Sequence, residues 1–222
     1  GVKTKPLHNE ELAVGSDSTR TAPGFGSFNI LMPPGRYTVR LTVNGTPYTQ
    51  PLEVRKDPNN VATVANIRDQ VRLLSTIQRD HAAASEMVTT LEDVRAQLQA
   101  MQRQLPSNSS VAEIRPANDT LEQKFTELDQ RILDLRMTGR GQDGVRWPVQ
   151  LAGQLGYLAG TIASSDFAPT TQQREVAALL AKETRDVHAA LQALMTKDLA
   201  EHNARLRARG LKTIDVAPPT VF

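Results

Sequence analysis

The chain has no cysteine, which excludes disulfides, thiolate metal sites and thiol nucleophiles and leaves the redox compartment open. It has little charge of either sign in excess: Lys plus Arg number 26 against 24 for Asp plus Glu, a net of +2. That balance gives no electrostatic footprint for nucleic acid. Long apolar runs are also missing. The most apolar window, Val149 to Ala163, is interrupted by Gln150, Gln154 and several glycines and falls short of the ~20 residues a membrane span needs. The expectation is a chain with no transmembrane segment of its own. GxSxG, HExxH and Walker motifs are absent, and so is the Glu-x-x-His pair of metal-carrying helical bundles. Catalytic residues, cofactor sites and metal ligands are therefore expected to be none. Aromatic residues make up only 4%, with a single tryptophan, Trp147. The chain begins at Gly1 and not at Met, as a processed form or a fragment would.

What is present is periodicity. From Asn59 to Leu105 there is no Pro or Gly, and Val64, Ile67, Val71, Leu74, Ile77, His81, Ala84, Val88, Leu91, Val94, Leu98, Met101 and Leu105 recur in steps of three and four. That is the helical period, and it predicts one long helix as a spine. Arg68, Asp69, Arg72, Arg79, Asp80, Glu92, Arg95 and Gln99 form its polar face. Beyond the Pro106 to Pro116 linker, Asp119 and Glu122 have capping-box spacing, and Leu121, Phe125, Leu128, Ile132 and Leu135 predict a second helix over about 119 to 137. Trp147-Pro148 opens a third, with Leu151, Leu155, Leu158 and Ile162 inward and with Gly153, Gly156 and Gly160 expected at close backbone contacts. Thr170 or Thr171 caps a fourth running to about Arg209, with Val176, Leu180, Val187, Leu191, Leu194, Leu199 and Leu206 inward. Short connections favour an antiparallel bundle of about four helices, one of them very long.

Ahead of the helices the period changes to two. Tyr37, Val39, Leu41 and Val43 alternate with Thr38, Arg40 and Thr42, and a second strand follows over Tyr48 to Arg55. Between them stands Asn44-Gly45, the preferred dipeptide of a two-residue type I′ turn, because both positions need positive φ. The fold class is thus α+β, mainly α. Residues 1–27 read as an extended arm, 28–57 as a small antiparallel β module, 58–209 as the bundle and 210–222 as an extended tail.

Several features have plain structural readings. Gly139-Arg140-Gly141-Gln142-Asp143-Gly144 spells GxGxxG, but a dinucleotide fingerprint needs a preceding strand and a βαβ unit, so this is a loop. His188 and His202, 14 positions apart in the sequence, stand roughly 21 Å apart on one helix and share no metal. Glu92-Asp93, Asp129 and Asp134 read as solvated helix faces. Arg205, Arg207, Arg209 and Lys212 complement a helix C-terminus or meet an acidic partner. Trp147 packs as a hydrophobic staple or anchors an interface. The candidate partner-binding residues are Tyr37, Tyr48, Trp147, Arg205, Arg207, Arg209 and Phe222.

Two passages resemble a known family. Pro34-Gly35-Arg36-Tyr37-Thr38-Val39-Arg40-Leu41-Thr42-Val43-Asn44-Gly45, with Tyr48 to Val54 and Asp57-Pro58, is similar to the last strands of the Ig-like module in secreted bacterial sortilin-like, BNR-repeat propeller proteins. Ser165 to Gln172, Thr196-Lys197-Asp198-Leu199, Asn203, Leu206 and Gly210-Leu211 resemble that family's C-terminal helical region. The resemblance implies a partial Ig-like module followed by helices, and an extracytoplasmic place. The propeller itself is absent here, and no catalytic residue carries over. The functional expectation is a non-enzymatic extracytoplasmic scaffold or docking subunit of a larger protein complex, membrane-embedded complexes included. The alternative is the C-terminal interaction region of a sortilin-like propeller hydrolase or receptor whose active part lies outside this chain.

Overall fold

The structure, a computed structural model, describes residues 29–105, 113–136 and 143–217. The expected N-terminal arm, Phe28, most of the GxGxxG loop and Phe222 lie outside the described residues. Within them the fold is α+β and mainly α: one antiparallel hairpin, then a bundle of helices.

Strands β1 (Gly35–Val43) and β2 (Thr46–Val54) pair from Gly35 opposite Val54 to Val43 opposite Thr46. Asn44 and Gly45 take φ of 48° and 82°, the two positive values that a type I′ turn requires and that Asn and Gly tolerate best. After the hairpin, two side-chain turns lead into the spine. Asp57 Oδ1 accepts from Asn59 N, and Asn60 Oδ1 from Ala62 N, both at 2.8 Å. Helix α1 (Val64–Gln104) then begins at a reciprocal cap, in which Thr63 Oγ1 accepts from Asn66 N at 3.1 Å and Asn66 Oδ1 from Thr63 N at 2.9 Å. Its 41 residues extend about 60 Å.

Helix α2 (Ile114–Ile132) starts five residues ahead of the expected Asp119. Pro116 does not break it, because a proline in the first turn lacks only an N–H that has no intrahelical acceptor. The Asp119–Glu122 capping box is accordingly not used, and Glu122 serves a different purpose described below. α2 runs antiparallel to α1: Arg115 bonds the Leu105 carbonyl, Asn118 Nδ2 the Leu98 carbonyl at 2.9 Å, and Arg95 reaches Asp129. A single helical turn, α3 (Asp143–Arg146), precedes α4 (Leu151–Ala163), so Trp147-Pro148 stands before the third long element and does not open it. Two of the three glycines of α4, Gly153 and Gly160, also differ from expectation. A Cβ on Gly153 would strike the Val149 side chain of the same segment, and one on Gly160 would meet open space; neither reflects a neighbouring helix.

Helix α5 (Thr171–Ala193) is capped by Thr170 and Gln173 in a capping box. It continues through a π-helical segment, Leu194–Leu199, into α6 (Ala200–Arg207). The fourth helix is therefore one rod with a wider turn inside it. Val176, expected inward, is exposed, whereas Ala177, Leu180, Val187, Leu191, Leu199 and Leu206 are buried. Gly210, at φ 66°, ends the rod: Leu211 N donates to Leu206 O and Gly210 N to Arg207 O, each at 3.0 Å. Glycine takes this left-handed cap without the backbone strain that most side chains meet at positive φ.

The core runs along α1, which packs against α2, α4 and α5. In its second half burial widens well beyond one stripe, taking in Ala83, Ala84, Ser85, Met87, Val88, Thr90, Leu91, Glu92, Val94, Arg95 and Leu98, while Thr89 stays exposed. Glu92, Asp129 and Asp134, read from the sequence as solvated, are buried, and so is Arg95. Arg95 Nη1 bonds Asp129 Oδ2 at 2.7 Å, and its Nε bonds Glu122 Oε1 at 3.2 Å. Gln99 and Thr126 add bonds of 3.1 and 3.0 Å to the same Glu122 oxygen. A buried guanidinium is tolerable only when paired and hydrogen-bonded this fully. The network locks α2 in register on α1.

Candidate docking surface

The hairpin contrasts with this enclosed interior. Because side chains alternate across a strand, the register places Tyr37, Val39, Leu41 and Val43 on one face with Leu52, Gln50, Tyr48 and Thr46. That face is open: Val39 is 50% exposed, Leu41 61%, Val43 46%, Tyr48 59% and Leu52 47%. The other face carries Arg36, Thr38, Arg40 and Thr42 beside Glu53, Pro51, Thr49 and Pro47. Among the described residues, the contacts that anchor the hairpin are at its base. Tyr37 donates its hydroxyl proton to Pro33 O at 2.5 Å, and Leu31, Met32, Pro34 and Val54 line a small cleft of about 120 Å³ with Ile67, Gln70 and Leu74 of α1.

Magnitudes bear on what such a face does. A large apolar side chain fully withdrawn from water contributes roughly 1.5–3 kcal/mol. Covering five that are half withdrawn already gains on the order of 5 kcal/mol on that scale. Association of two molecules costs an estimated ~4–15 kcal/mol in lost freedom. The face alone thus makes a weak contact, and a stable one draws on main-chain hydrogen bonds as well.

No protein family, no curated protein and no solved structure matches this chain. The reading of the surface therefore rests on its chemistry.

The other sequence-derived candidates are scattered. Tyr37 and Tyr48 share the open hairpin face, Tyr48 directly opposite Leu41. Trp147 is elsewhere: the Arg136 guanidinium lies 3.9 Å from its ring centroid, while the same guanidinium forks onto the buried Asp134 at 2.9 and 2.6 Å. Asp134 holds the Arg136 pKa above its ordinary value, chiefly through that hydrogen bond. The stack ties together the two ends of the glycine-rich loop.

Of the arginines at the end of the rod, Arg209 donates to Glu113 at 2.9 Å and to the Arg205 carbonyl at 3.3 Å, fastening α6 to the start of α2. Arg205 lines an open cleft of about 400 Å³ with Glu113, Lys124, Asp198, Glu201 and His202. Lys124 is paired with Asp198 there. His202 is buried, and burial first, then the Arg205 charge, lowers its pKa. Its lining sets three carboxylates against two cations and a histidine whose charged form burial disfavours, and Asp198 and Glu113 are already paired with Lys124 and Arg209, so little unpaired charge is left to select a ligand. Arg207 is exposed in the last turn of α6, where it complements the helix dipole. Phe222 lies outside the described residues. Among the described residues no group of three or more His, Asp and Glu could hold a metal, and no helix is long and apolar enough to cross a membrane.

Two amide side chains escaped the sequence reading. Asn203 makes both bonds to the backbone of Ile214, and Gln97 both to Asp215, at 2.9 to 3.1 Å. They hold the segment after Gly210 against α1 and α6 as a partner strand would. The signal available was the pair of buried-type residues, Leu211 and Ile214, in a stretch with no period.

Proposed function

We propose that this chain is a docking or scaffold subunit, acting by binding and not by catalysis, that joins a larger protein assembly through its hairpin. The observation that carries the proposal is the open apolar face of the hairpin, set on a bundle whose own core is closed without it. A rigid helical spine of about 60 Å suits a spacer that holds the docked partner at a fixed distance. The extracytoplasmic setting, and a membrane-bound assembly as the partner, belong to the same proposal and are supported by the family resemblance of the hairpin and the Ser165 to Gln172 stretch.

The test is gentle purification of the untagged native chain with size-exclusion and mass determination, beside a Val39→Ser/Leu41→Ser variant. Elution of the wild type in a complex of fixed stoichiometry, with release of the variant, supports docking through the hairpin. Elution of the wild type as a free monomer overturns it.

A second reading draws on the same resemblance. The chain is then the C-terminal interaction region of a sortilin-like propeller protein, and strands encoded upstream in the same polypeptide cover the hairpin. A propeller encoded in frame before Gly1 supports that reading, and an intact reading frame without one excludes it.

A further inference from the structure

We infer that the hairpin accepts one further strand along β1 and not along β2, and that this strand is an extended polypeptide segment alternating apolar with acidic residues. The inference deepens the docking proposal and rests on it. In a two-residue turn the flanking residues, Val43 and Thr46, exchange both ladder bonds. Counting back by twos, Leu41, Val39, Tyr37 and Gly35 also bond across to β2, while Thr42, Arg40, Thr38 and Arg36 direct their N–H and C=O groups outward. On β2 the outward positions are Pro47, Thr49, Pro51 and Glu53. Proline has no N–H to offer, so half of the donors on that edge are missing, as on strands protected from pairing. The β1 edge keeps all of its donors.

Charge selects the occupant. Arg36 and Arg40 stand four apart on the polar face of β1, a strand without a carboxylate. Neither is joined by a hydrogen bond or ion pair to another described residue. Glu53, across from Arg36, is engaged by Arg55 at 2.8 and 3.1 Å. An added strand with carboxylates four residues apart meets both arginines, because directly opposed opposite charges stabilise cross-strand pairs. Its intervening residues then extend the apolar face of Val39, Leu41 and Val43. A second copy of this chain is a poorer occupant: pairing β1 with β1 so that the apolar faces agree sets four arginines on two adjoining strands that carry no acid, and the Glu53 of each outer strand is already engaged by Arg55.

The probe is a labelled, end-capped peptide, Val-Glu-Val-Thr-Val-Glu-Val-Thr-Val, measured by fluorescence anisotropy against its Lys-for-Glu counterpart. The expected result is at least tenfold tighter binding of the acidic peptide. Thr38→Pro, at an outward position opposite Pro51, is expected to weaken it at least tenfold, and Thr49→Pro on the other edge to leave it within twofold. Thr42→Pro, opposite Pro47, repeats the test if Thr38→Pro disturbs the hairpin, as judged by circular dichroism and thermal unfolding. Arg36→Glu/Arg40→Glu is expected to reverse the preference. Absence of binding, equal affinity for the two peptides, equal damage from the two prolines, or self-association abolished by Thr38→Pro would each overturn the inference. The native complex separates this from the broader proposal. If it survives Thr38→Pro and is lost in Val39→Ser/Leu41→Ser, docking stands and the edge assignment falls; if it survives both, docking falls.

Discussion

The hairpin and the second half of α1 use the same kinds of residue to opposite ends. In the hairpin, apolar side chains face water and the arginines stand unpaired among the described residues. In α1 even Arg95 and Glu92 are withdrawn from solvent. The bundle spends its polar groups on internal pairing, while the hairpin leaves both its apolar face and its arginines available, as the proposed docking requires. If this contrast is correct, substitutions in the two regions differ in what they damage.

The largest effect is expected at Asp129. Asp129→Ala removes a carboxylate from the buried Arg95, and breaking such a pair costs about 3–5 kcal/mol; denaturant unfolding followed by circular dichroism measures the loss. A change below about 1 kcal/mol would mean that Glu122 alone satisfies Arg95. Next is Asn203→Ala, which strips both bonds from Ile214 and is expected to cost roughly 1–3 kcal/mol. Amide exchange at Ile214 should then accelerate while the centre of α1 stays protected. Exchange that rises throughout the bundle would show the C-terminal segment to be part of its cooperative unit.

A smaller effect is expected at His202. With its folded pKa below the ordinary 6.5, the unfolded chain takes up the proton first on acidification. The contribution of this group is present above that ordinary value and is lost as pH falls through the window down to the folded pKa. Between about pH 7.5 and pH 5.5 the midpoint of thermal unfolding should drop less in His202→Gln than in the wild type. The smallest stability effect is expected for Leu41→Ser, within about 0.5 kcal/mol, although that position is central to the proposed docking face. A large destabilisation there would mean that the hairpin face is covered within the chain itself.

Much of this architecture is legible in the sequence because period and turn chemistry are local. Asn44-Gly45 fixes the hairpin and its register, and the three-four spacing of α1 fixes one buried stripe. That stripe reports a single face, and α1 is enclosed on several. The short side chains of Ala83, Ala84 and Ser85 were the available sign that helices approach from other directions. Pro116 misplaced the start of α2 because a proline reads alike in a linker and in a first turn. The π-helical segment did leave a trace: Leu194 and Leu199 are five apart, a step that three-four spacing does not contain and that an i to i+5 turn supplies. Of the candidate residues, Tyr37 and Tyr48 fell together on one face since alternation predicts it, whereas Trp147 and the arginines are positioned by tertiary pairing that no local pattern encodes. The protective role of Pro47 and Pro51 emerges only once the register says which way each N–H points.

Those two prolines also bear on how large an assembly grows. A sheet with two receptive edges propagates, each added strand presenting the next template, and the end state is a fibre. In the proposed docking, a sheet with one receptive edge grows from one side only: the prolines make the β2 side of the hairpin the end of any sheet it joins, so this chain caps an assembly and cannot stand in the middle of one.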